Sequence, residues 1–354
     1  MIQFAFNLSD DLAENNKFCH NIECNQYQGQ GLVYLGSKRG IADRIYHAII
    51  NTLGGVKINR FVDLFCGGGA MGICATMHGE RVLFNDKNEY IIYLLYCALN
   101  NKIPPEWKKD FISREEYQSL KDFVANKSYF EIDKQTALRY AFASFFFSFG
   151  GRFGKSYIYG IDIEKQKEIM HKVFVFNDLD AKKELENIAV FEFKLKPDLT
   201  PYENYIYYKK QGREKIGKQR SKTDKRIEFD RDKSDLQHLE RLQQLEHLEH
   251  LERLQHLQHL EFSSIDYADF QAEKGDIIYC DPPYENTEKY IKGVNHNSFF
   301  EWALSNKNAL FISEYQDLTQ YGFVKVFEIE KRQLLNKNSD TKTNVEYLFW
   351  NGKK

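Results

Sequence analysis

Residues 275–284 have the sequence GDIIYCDPPY. The short apolar run Ile277–Cys280 is typical of a buried strand, and an acid and two prolines follow it directly. Proline can neither extend a strand ladder nor start a helix here without a turn, so we expect the strand to end at Asp281. An acid is then held at the carboxyl end of a strand, close to Tyr284. Ligands of open α/β sheets bind at this edge.

The tetrapeptide Asp281–Tyr284 contains the groups needed to activate an amino group on an aromatic ring. The amino nitrogen of adenine is a poor nucleophile, because its lone pair is delocalised into the ring. A carboxylate and a backbone carbonyl that each accept one N–H bond would localise this pair, and Pro282 offers only a carbonyl. The ring of Tyr284 can stack on an extruded base. An ordinary strand-ending turn is the alternative interpretation, and the tetrapeptide alone does not decide between them.

Composition limits the classes of protein that fit. The 354 residues have a formal net charge of −2, so any nucleic-acid surface must be local. The length suffices for one large domain or two modest ones. Six scattered cysteines without a C-x-x-C pair are typical of reduced, buried thiols. With no signal peptide and no membrane-spanning apolar stretch in the sequence, we expect a cytoplasmic protein.

A strand–loop–helix–strand unit precedes this region in the chain. The strand candidate Arg60–Phe65 runs into a loop whose glycines have the G-x-G-x-x-G spacing, Gly67, Gly69 and Gly72. This spacing lets backbone approach a cofactor, although many such matches bind none. The next strand, Arg81–Asn85, is followed by Asp86, where an acid would hold a ribose diol. The whole unit therefore favours an adenosine-type cofactor.

A helix is predicted just before that unit, with Ser37 as its N-cap and Gly54-Gly55 as its end. Lys38 would lie at the start of this helix, where the helix dipole disfavours a cation. The Lys38 side chain therefore either points into solvent or binds an anionic group such as a carboxylate.

Residues 106–235 differ in composition from the rest. The aromatic run Phe145–Phe147 is more typical of core than of a site. The following loop interleaves glycines with cations and aromatics, including Arg152, Lys155 and Tyr157, a mixture that suits backbone phosphates and stacked bases. A decorated surface loop is an equally good interpretation.

The segment Tyr207–Arg226 is strongly basic and includes Lys209, Lys210, Arg213 and Lys215. It is either a solvated mobile loop or an arm along DNA phosphates, and we favour the arm. Leucines then recur every third residue from Leu236 to Leu260. On a helix, leucines with this period would lie on successively different faces and would not form one stripe. The segment is therefore not a coiled-coil interface, and we interpret it as an insert or linker. Its histidines are better explained by repeat copying than by metal binding.

The ordered set of short motifs resembles one known family. These are Tyr34-x-Gly-Ser-Lys38, the Asp63–Gly69 loop, Asn85-Asp86, Asp266-Tyr267 and Asp281–Tyr284. The set is similar to the Dam-like, alpha-order adenine-N6 DNA methyltransferases. The resemblance implies an α/β, Rossmann-like, S-adenosylmethionine-dependent methyltransferase sheet with an inserted, mostly helical target-recognition domain.

The resemblance also implies roles for residues. Tyr34 and Lys38 are expected near the methionine part of the cofactor, and the loop residues Asp63, Phe65, Gly67 and Gly69 beneath it. Asp86 is expected to hold the ribose, with Asp266 and Tyr267 beside the adenine. Asp281 and Pro282, followed by Pro283, are expected to orient the target amino group, with Tyr284 stacked on the flipped base and no metal. Asp281 is also expected to contact the cofactor.

The expected domains are a polar leader (1–30), a catalytic domain (31–105 and 261–354), a target-recognition insert (106–235) and the repeat (236–260). The expected partners are double-stranded DNA and a cognate restriction endonuclease, with no membrane and a monomeric state.

Other functions fit the residues less well. Methylation of cytosine N4, of RNA adenine or of a protein amide uses a similar tetrapeptide, although Asp at its first position and the alpha order favour adenine in DNA. A nicotinamide-dependent oxidoreductase has no use for Asp281–Tyr284. A non-catalytic DNA-binding module leaves the glycine loop and Asp86 unexplained.

Overall fold

The computed structural model describes residues 31–32, 37–148, 153–160, 163–217, 248, 259–283, 294–331 and 344–354. The chain divides into two compact units, one formed by Met1–Asn101 and His250–Lys354 and the other by Lys102–Glu249. No helix in the described ranges is long and apolar enough to cross a membrane. The predicted leader lies outside the described residues, and so does the leucine repeat except for three positions. Of these, Leu248 is buried and Leu260 opens a strand.

Among the described residues, seven strands of the first unit form one sheet. The strands are β1 Arg60–Asp63, β2 Val82–Asn85, β3 Leu260–Ser263, β4 Asp276–Cys280, β5 Ala309–Glu314, β6 Val324–Lys331 and β7 Asn344–Trp350. The helices of both units are α1 Ala42–Leu53, α2 Ala70–Met77, α3 Glu89–Leu99, α4 Arg114–Ala125, α5 Lys134–Phe146, α6 Glu164–Phe176, α7 Leu179–Ala189, α8 Pro201–Gly217 and α9 His296–Ser305. The strand order is β3-β2-β1-β4-β5-β7-β6, and among these strands β7 alone runs in the opposite direction to the other six.

Successive residues of the central strands face opposite sides of the sheet, as the two-residue period of a strand requires. Phe61 and Tyr279 lie on one side, where their rings stack with centroids 6.4 Å apart. The other side belongs to a core cluster that includes Ile278, Leu310 and, from α9, Phe299. Every residue of β1 and β4 is buried, and apart from the charged residues at their ends the residues on both sides of the sheet are apolar: Phe61 and Val62 in β1, and Ile277–Cys280 in β4.

The strand order reverses between β1 and β4, since the chain proceeds from β1 to β2 and β3 on one side and places β4 on the other. Asp63 is in register with Tyr279, and the Leu64 amide donates to the Tyr279 carbonyl at 3.0 Å. The loops after β1 and β4 therefore start side by side at the carboxyl edge of the sheet. A ligand of such a sheet binds at this point of reversal.

Helix α1 begins later than the sequence predicts. Ser37 is not its cap, because α1 starts at Ala42 and Ile41 occupies the N-cap position without a side-chain bond. The preceding residues form a turn closed by the Ile41 amide, which donates to the Lys38 carbonyl at 2.8 Å. The predicted end is confirmed, since Gly54 adopts a left-handed φ of 63° and its amide bonds the last turn.

The second unit contains α4 to α8. The aromatic run Phe145–Phe147 is buried, which confirms the prediction that it is core. Helices α6, α7 and α8 pack around a cluster that includes Phe174, Tyr205 and Tyr208. Tyr205 and Tyr208 lie three residues apart and so face the same side of α8. The basic segment predicted to be an arm or loop therefore begins as part of a packed helix, up to Gly217.

Candidate active site

Glycines shape the loop between β1 and α2. Gly67 and Gly69 have positive φ angles of 48° and 77°, which glycine adopts at little cost. The Leu32 amide donates to the Gly68 carbonyl at 2.8 Å. The backbone at Gly31 approaches so closely that a Cβ there would lie 2.9 Å from the same carbonyl oxygen. Gly31 and Leu32 are therefore held directly against the loop.

Asp63, the last residue of β1, anchors the helix that follows the loop. Its buried carboxylate accepts a hydrogen bond from the Gly72 amide at 2.8 Å. Burial raises the pKa of Asp63 to about 7. The charges of Asp281 and Asp86 also raise this pKa, whereas the hydrogen bond from Gly72 and the charge of Lys38 lower it. This carboxyl group is thus poised to change its charge near neutral pH.

Asn85 joins three segments at the end of β2. Its amide nitrogen donates to the carbonyl oxygens of Leu64 at 2.9 Å and Ile265 at 3.0 Å. Its side-chain oxygen accepts from the Ser263 hydroxyl at 2.7 Å and the Ile265 amide at 3.0 Å. One buried side chain therefore fixes the glycine loop relative to the segment after β3.

Asp86 follows directly and faces the glycine loop. Its two oxygens accept from the Gly67 amide at 3.1 Å and the Asn88 amide at 2.9 Å. Desolvation raises the pKa of Asp86 to about 6, although both backbone bonds oppose this shift. An ionised carboxylate has about four acceptor sites, so about two remain for hydroxyl donors of a ligand.

An aromatic wall, which we define as Tyr267 and the rings that pack against it, lies at the same edge of the sheet. Asp266 caps the short turn Tyr267–Asp269 and forms an ion pair with Lys87. The ring of Tyr267 packs against Phe65, Phe299 and Trp302, with centroids 6.1, 5.1 and 5.4 Å away.

Lys38 is buried between two carboxylates. Its Nζ lies 2.5 Å from Asp281 Oδ2 and 3.2 Å from Glu346 Oε1, and only 2% of its side chain is exposed. Burial would lower the pKa of Lys38, but the charges and hydrogen bonds of the two carboxylates raise it well above its ordinary value. Lys38 is therefore a permanent cation that binds a carboxylate, and the solvent-facing alternative is wrong.

The site thus brings together a backbone loop, an acid with acceptor sites left over, an aromatic wall and an acid held beside a fixed ammonium. A scan against known protein families matches residues 34–306 to the D12 class N6 adenine-specific DNA methyltransferases. The chain belongs to this family. It is an enzyme of adenine-specific DNA methylation, and its α/β sheet is that of an S-adenosylmethionine-dependent methyltransferase. A search of curated proteins finds no match.

Most residues predicted for the site of this methyltransferase lie at the carboxyl edge or in the segments next to it. They are Lys38, Asp63, Phe65, Gly67, Gly69, Asp86, Asp266, Tyr267, Asp281, Pro282 and Pro283. Tyr34 and Tyr284 lie outside the described residues.

The residues predicted to contact DNA have different surroundings. Lys155 and Lys210 are exposed, and Lys209 is half-buried on α8. Tyr157 is buried, and its hydroxyl donates to the Ile112 carbonyl at 2.7 Å. A ring in this position has no open face for a base, so Tyr157 is a packing residue. Arg152 and the side chains of Arg213 and Lys215 lie outside the described residues.

Sequence reasoning missed two acids that face Asp281. Glu346 near the start of β7 and Glu314 at the end of β5 are both buried. Burial first, and then the charge of Asp281, raises the pKa of Glu314 to about 7, although bonds from its own turn and the charge of Lys38 oppose this. The available signal was an acid within an otherwise apolar strand, because burial of a charge requires a partner.

Among the described residues, Asp43, His47 and His78 form one group that could hold a metal ion. His78 Nε2 lies 2.9 Å and His47 Nε2 3.6 Å from Asp43 Oδ1. A histidine–aspartate hydrogen bond accounts for this grouping. His78 follows α2, which leads back to the amino edge of the sheet, so the group is separate from the candidate site.

Proposed function

We propose that Asp281 and the main-chain carbonyl of Pro282 bind the amino group of an adenine flipped out of double-stranded DNA, and that Tyr284 stacks on the base. The observation that supports this assignment is the register of β1 and β4, which starts the glycine loop and the Asp281 segment side by side. A methyl donor on the loop and an amine at Asp281 would then be neighbours.

The described residues fit S-adenosylmethionine as that donor. The glycine loop offers close backbone approach, and Asp86 retains acceptor sites for a ribose diol. The Ser37 hydroxyl is buried without a hydrogen-bond partner among the described residues, and a polar ligand would supply one. We assign the ribose to Asp86, the adenine to Asp266 and Tyr267, and the methionine part to Tyr34 and Lys38, above the loop residues Asp63, Phe65, Gly67 and Gly69.

When bound, S-adenosylmethionine supplies an electrophilic methyl group on a sulfonium. Asp281 accepts one N–H bond of the target amino group and the Pro282 carbonyl accepts the other, which localises the nitrogen lone pair. Pro283 keeps this short segment rigid. The Lys38 ammonium lies 2.5 Å from Asp281 and keeps this carboxylate ionised. Asp281 can therefore accept a hydrogen bond from the amino group. The amine loses one proton overall, and Asp281 is the base placed to take it.

The second unit supplies the DNA contacts in this proposal, as the target-recognition domain of residues 106–235. Lys155, Lys209 and Lys210, with Arg152, Arg213 and Lys215, provide positive charge for backbone phosphates. A cognate restriction endonuclease as a partner, a monomeric state and a cytoplasmic location remain predictions.

One assay tests the reaction and the base together. The full chain is incubated with DNA and cofactor labelled in the methyl group, and the DNA is digested to nucleosides. Label in N6-methyldeoxyadenosine is expected with double-stranded DNA. Label in N4-methyldeoxycytidine, or labelling of RNA in preference to DNA, would replace the proposed substrate with one of the alternatives.

A further inference from the structure

Glu346 contacts the Lys38 ammonium that in turn contacts Asp281. The three groups form a carboxylate–ammonium–carboxylate row in which Glu346 and Lys38 are each 2% exposed and Asp281 is 19% exposed. Only Asp281, at the open end of the row, can reach a ligand. Glu346 is therefore placed to act on the reaction through Lys38 and not by its own contact.

The direction of β7 explains why a distant residue reaches this position. The parallel strands β4 and β5 end at the carboxyl edge, whereas the antiparallel strand β7 begins there. Glu346 is near the start of β7, and its neighbour Tyr347 is in register with Glu314. Three strands thus deliver an acid to the same edge of the sheet: Asp281 after β4, Glu314 at the end of β5 and Glu346 near the start of β7.

Acids outnumber cations around Asp281. The groups that face it are Lys38 before α1, Asp63 on β1, Tyr279 on β4, Glu314 on β5 and, through Lys38, Glu346 on β7. Arg39 is the next cation in the chain, and burial lowers its pKa to about 10, so it stays charged at neutral pH. A single ammonium between two carboxylates cannot fully neutralise either of them.

We propose that Glu346 is a positioning residue for methyl transfer: by sharing the Lys38 ammonium, it keeps Asp281 ionised yet a strong acceptor for the adenine amino group. This inference rests on the proposed role of Asp281. With Glu346 neutral, Lys38 would pair with Asp281 alone and weaken it as an acceptor. With Lys38 neutral, two neighbouring carboxylates would face each other, and one of them would take up a proton.

The two single changes should therefore shift the pH dependence of kcat in opposite directions. In Glu346→Gln, loss of a negative charge near Asp281 should move the acid limb of the profile to lower pH and reduce the plateau by about tenfold. In Lys38→Met, loss of the cation should move the acid limb to higher pH. The double variant removes the repulsion as well, so its kcat at neutral pH should exceed that of Lys38→Met by about tenfold.

The measurement is methyl transfer by the full chain at saturating DNA and cofactor, as kcat under multiple turnover and as the rate constant of a single turnover. The pH runs from about 4 to about 9.5, a range that starts near the ordinary pKa of an aspartate. Glu328→Gln is the matched control, because Glu328 is an exposed acid on the neighbouring strand β6 and pairs with Lys325. It should retain the wild-type profile.

A wild-type profile in Glu346→Gln would overturn the inference, and so would identical profiles for Lys38→Met and the double variant. If Lys38→Met does not fold, the profile of Glu346→Gln against Glu328→Gln still decides. Asp281→Ala separates the two proposals: turnover in that variant would refute the role of Asp281 itself, whereas an inactive Asp281→Ala with an unshifted Glu346→Gln would refute the role of Glu346 only.

Discussion

Asp281 combines partial exposure with a contact of 2.5 Å to a buried ammonium. An ammonium at this distance favours the ionised form of a carboxylate, and an ionised carboxylate has about four acceptor sites. In the proposed complex one of these sites binds the amino group, and Lys38 and Glu346 set the charge of Asp281.

Replacement of Asp281 by Ala should reduce methyl transfer by at least about a thousandfold, because both the N–H acceptor and the base are lost. Single-turnover methylation of DNA measures this loss. Cofactor binding, followed by calorimetric titration without DNA, and the far-UV spectrum should show that the variant is folded. Near wild-type turnover would contradict the assignment.

Asp63 should make stability depend on pH. Its pKa is raised from an ordinary 3.8 to about 7, chiefly by burial, so the folded chain keeps a proton that the unfolded chain releases. Between about pH 4 and pH 7 the folded state binds more protons, and stability therefore falls as pH rises. Asp63→Asn removes this dependence.

We therefore compare the Tm of Asp63→Asn with that of the wild type, both without cofactor. The Tm of the variant should exceed that of the wild type by more at about pH 8 than at about pH 5. We expect a change of the order of 5 °C, since a pKa raised from 3.8 to about 7 is worth roughly 2–3 kcal/mol between these pH values. About 1 kcal/mol moves Tm by about 2–4 °C in a domain of 150–250 residues. Exposed Asp198→Asn is the control. A difference in Tm that is independent of pH would show that Asp63 has the same pKa folded and unfolded.

At the scale of elements, Asn85 makes the end of β2 the joint between the glycine loop and the segment before Asp266. Replacement by Ala leaves the Leu64 and Ile265 carbonyls and the Ile265 amide without their buried partner. We expect a loss of about 2–3 kcal/mol of stability and at least about tenfold weaker cofactor binding.

Thermal unfolding and cofactor titration measure the two effects of Asn85→Ala. Asn100→Ala is the matched control, because the Asn100 amide bonds the carbonyl of Tyr96 at the end of α3 and lies away from the loop. Unchanged cofactor affinity in Asn85→Ala would mean that the loop keeps its shape without this side chain.

At the scale of the molecule, catalysis and DNA contact are assigned to two separate units of one near-neutral chain. Affinity for DNA should then depend on a local group of cations in the second unit. Neutralising Lys209, Lys210, Arg213 and Lys215 together should reduce the slope of log K against log salt by up to about 3–4, if each binds one phosphate.

Filter binding or fluorescence anisotropy over a range of salt concentrations measures this slope. The control for net charge is a variant with four other lysines neutralised: Lys121 on α4, Lys127 just after α4, and Lys182 and Lys183 on α7. An equal change of slope in both quadruple variants would remove the specific role of the α8 segment.

Local sequence determined a large part of this protein. The strands β1, β2 and β4, the glycine loop and the acids Asp86 and Asp281 were predictable, because apolar runs, glycines and prolines act on the residues beside them. The start of α1 was not predictable from local sequence. Ser37 has the sequence features of an N-cap, but the Lys38 side chain next to it binds Asp281 and Glu346, which are distant in the chain. Tyr157 was assigned to DNA because a basic loop contains it, whereas packing places it in a core.

The sequence by itself therefore determined the family, the glycine loop and the end of β4 at Asp281, because each depends on runs of neighbouring residues. Tertiary structure alone decided that Lys38 meets Asp281, 243 positions away, and that Glu346 meets Lys38. The physical reason is that a buried ion pair depends on which strands end together and in which direction they run. Pairing with β5 and β6, and not the residues of β7 alone, sets that direction.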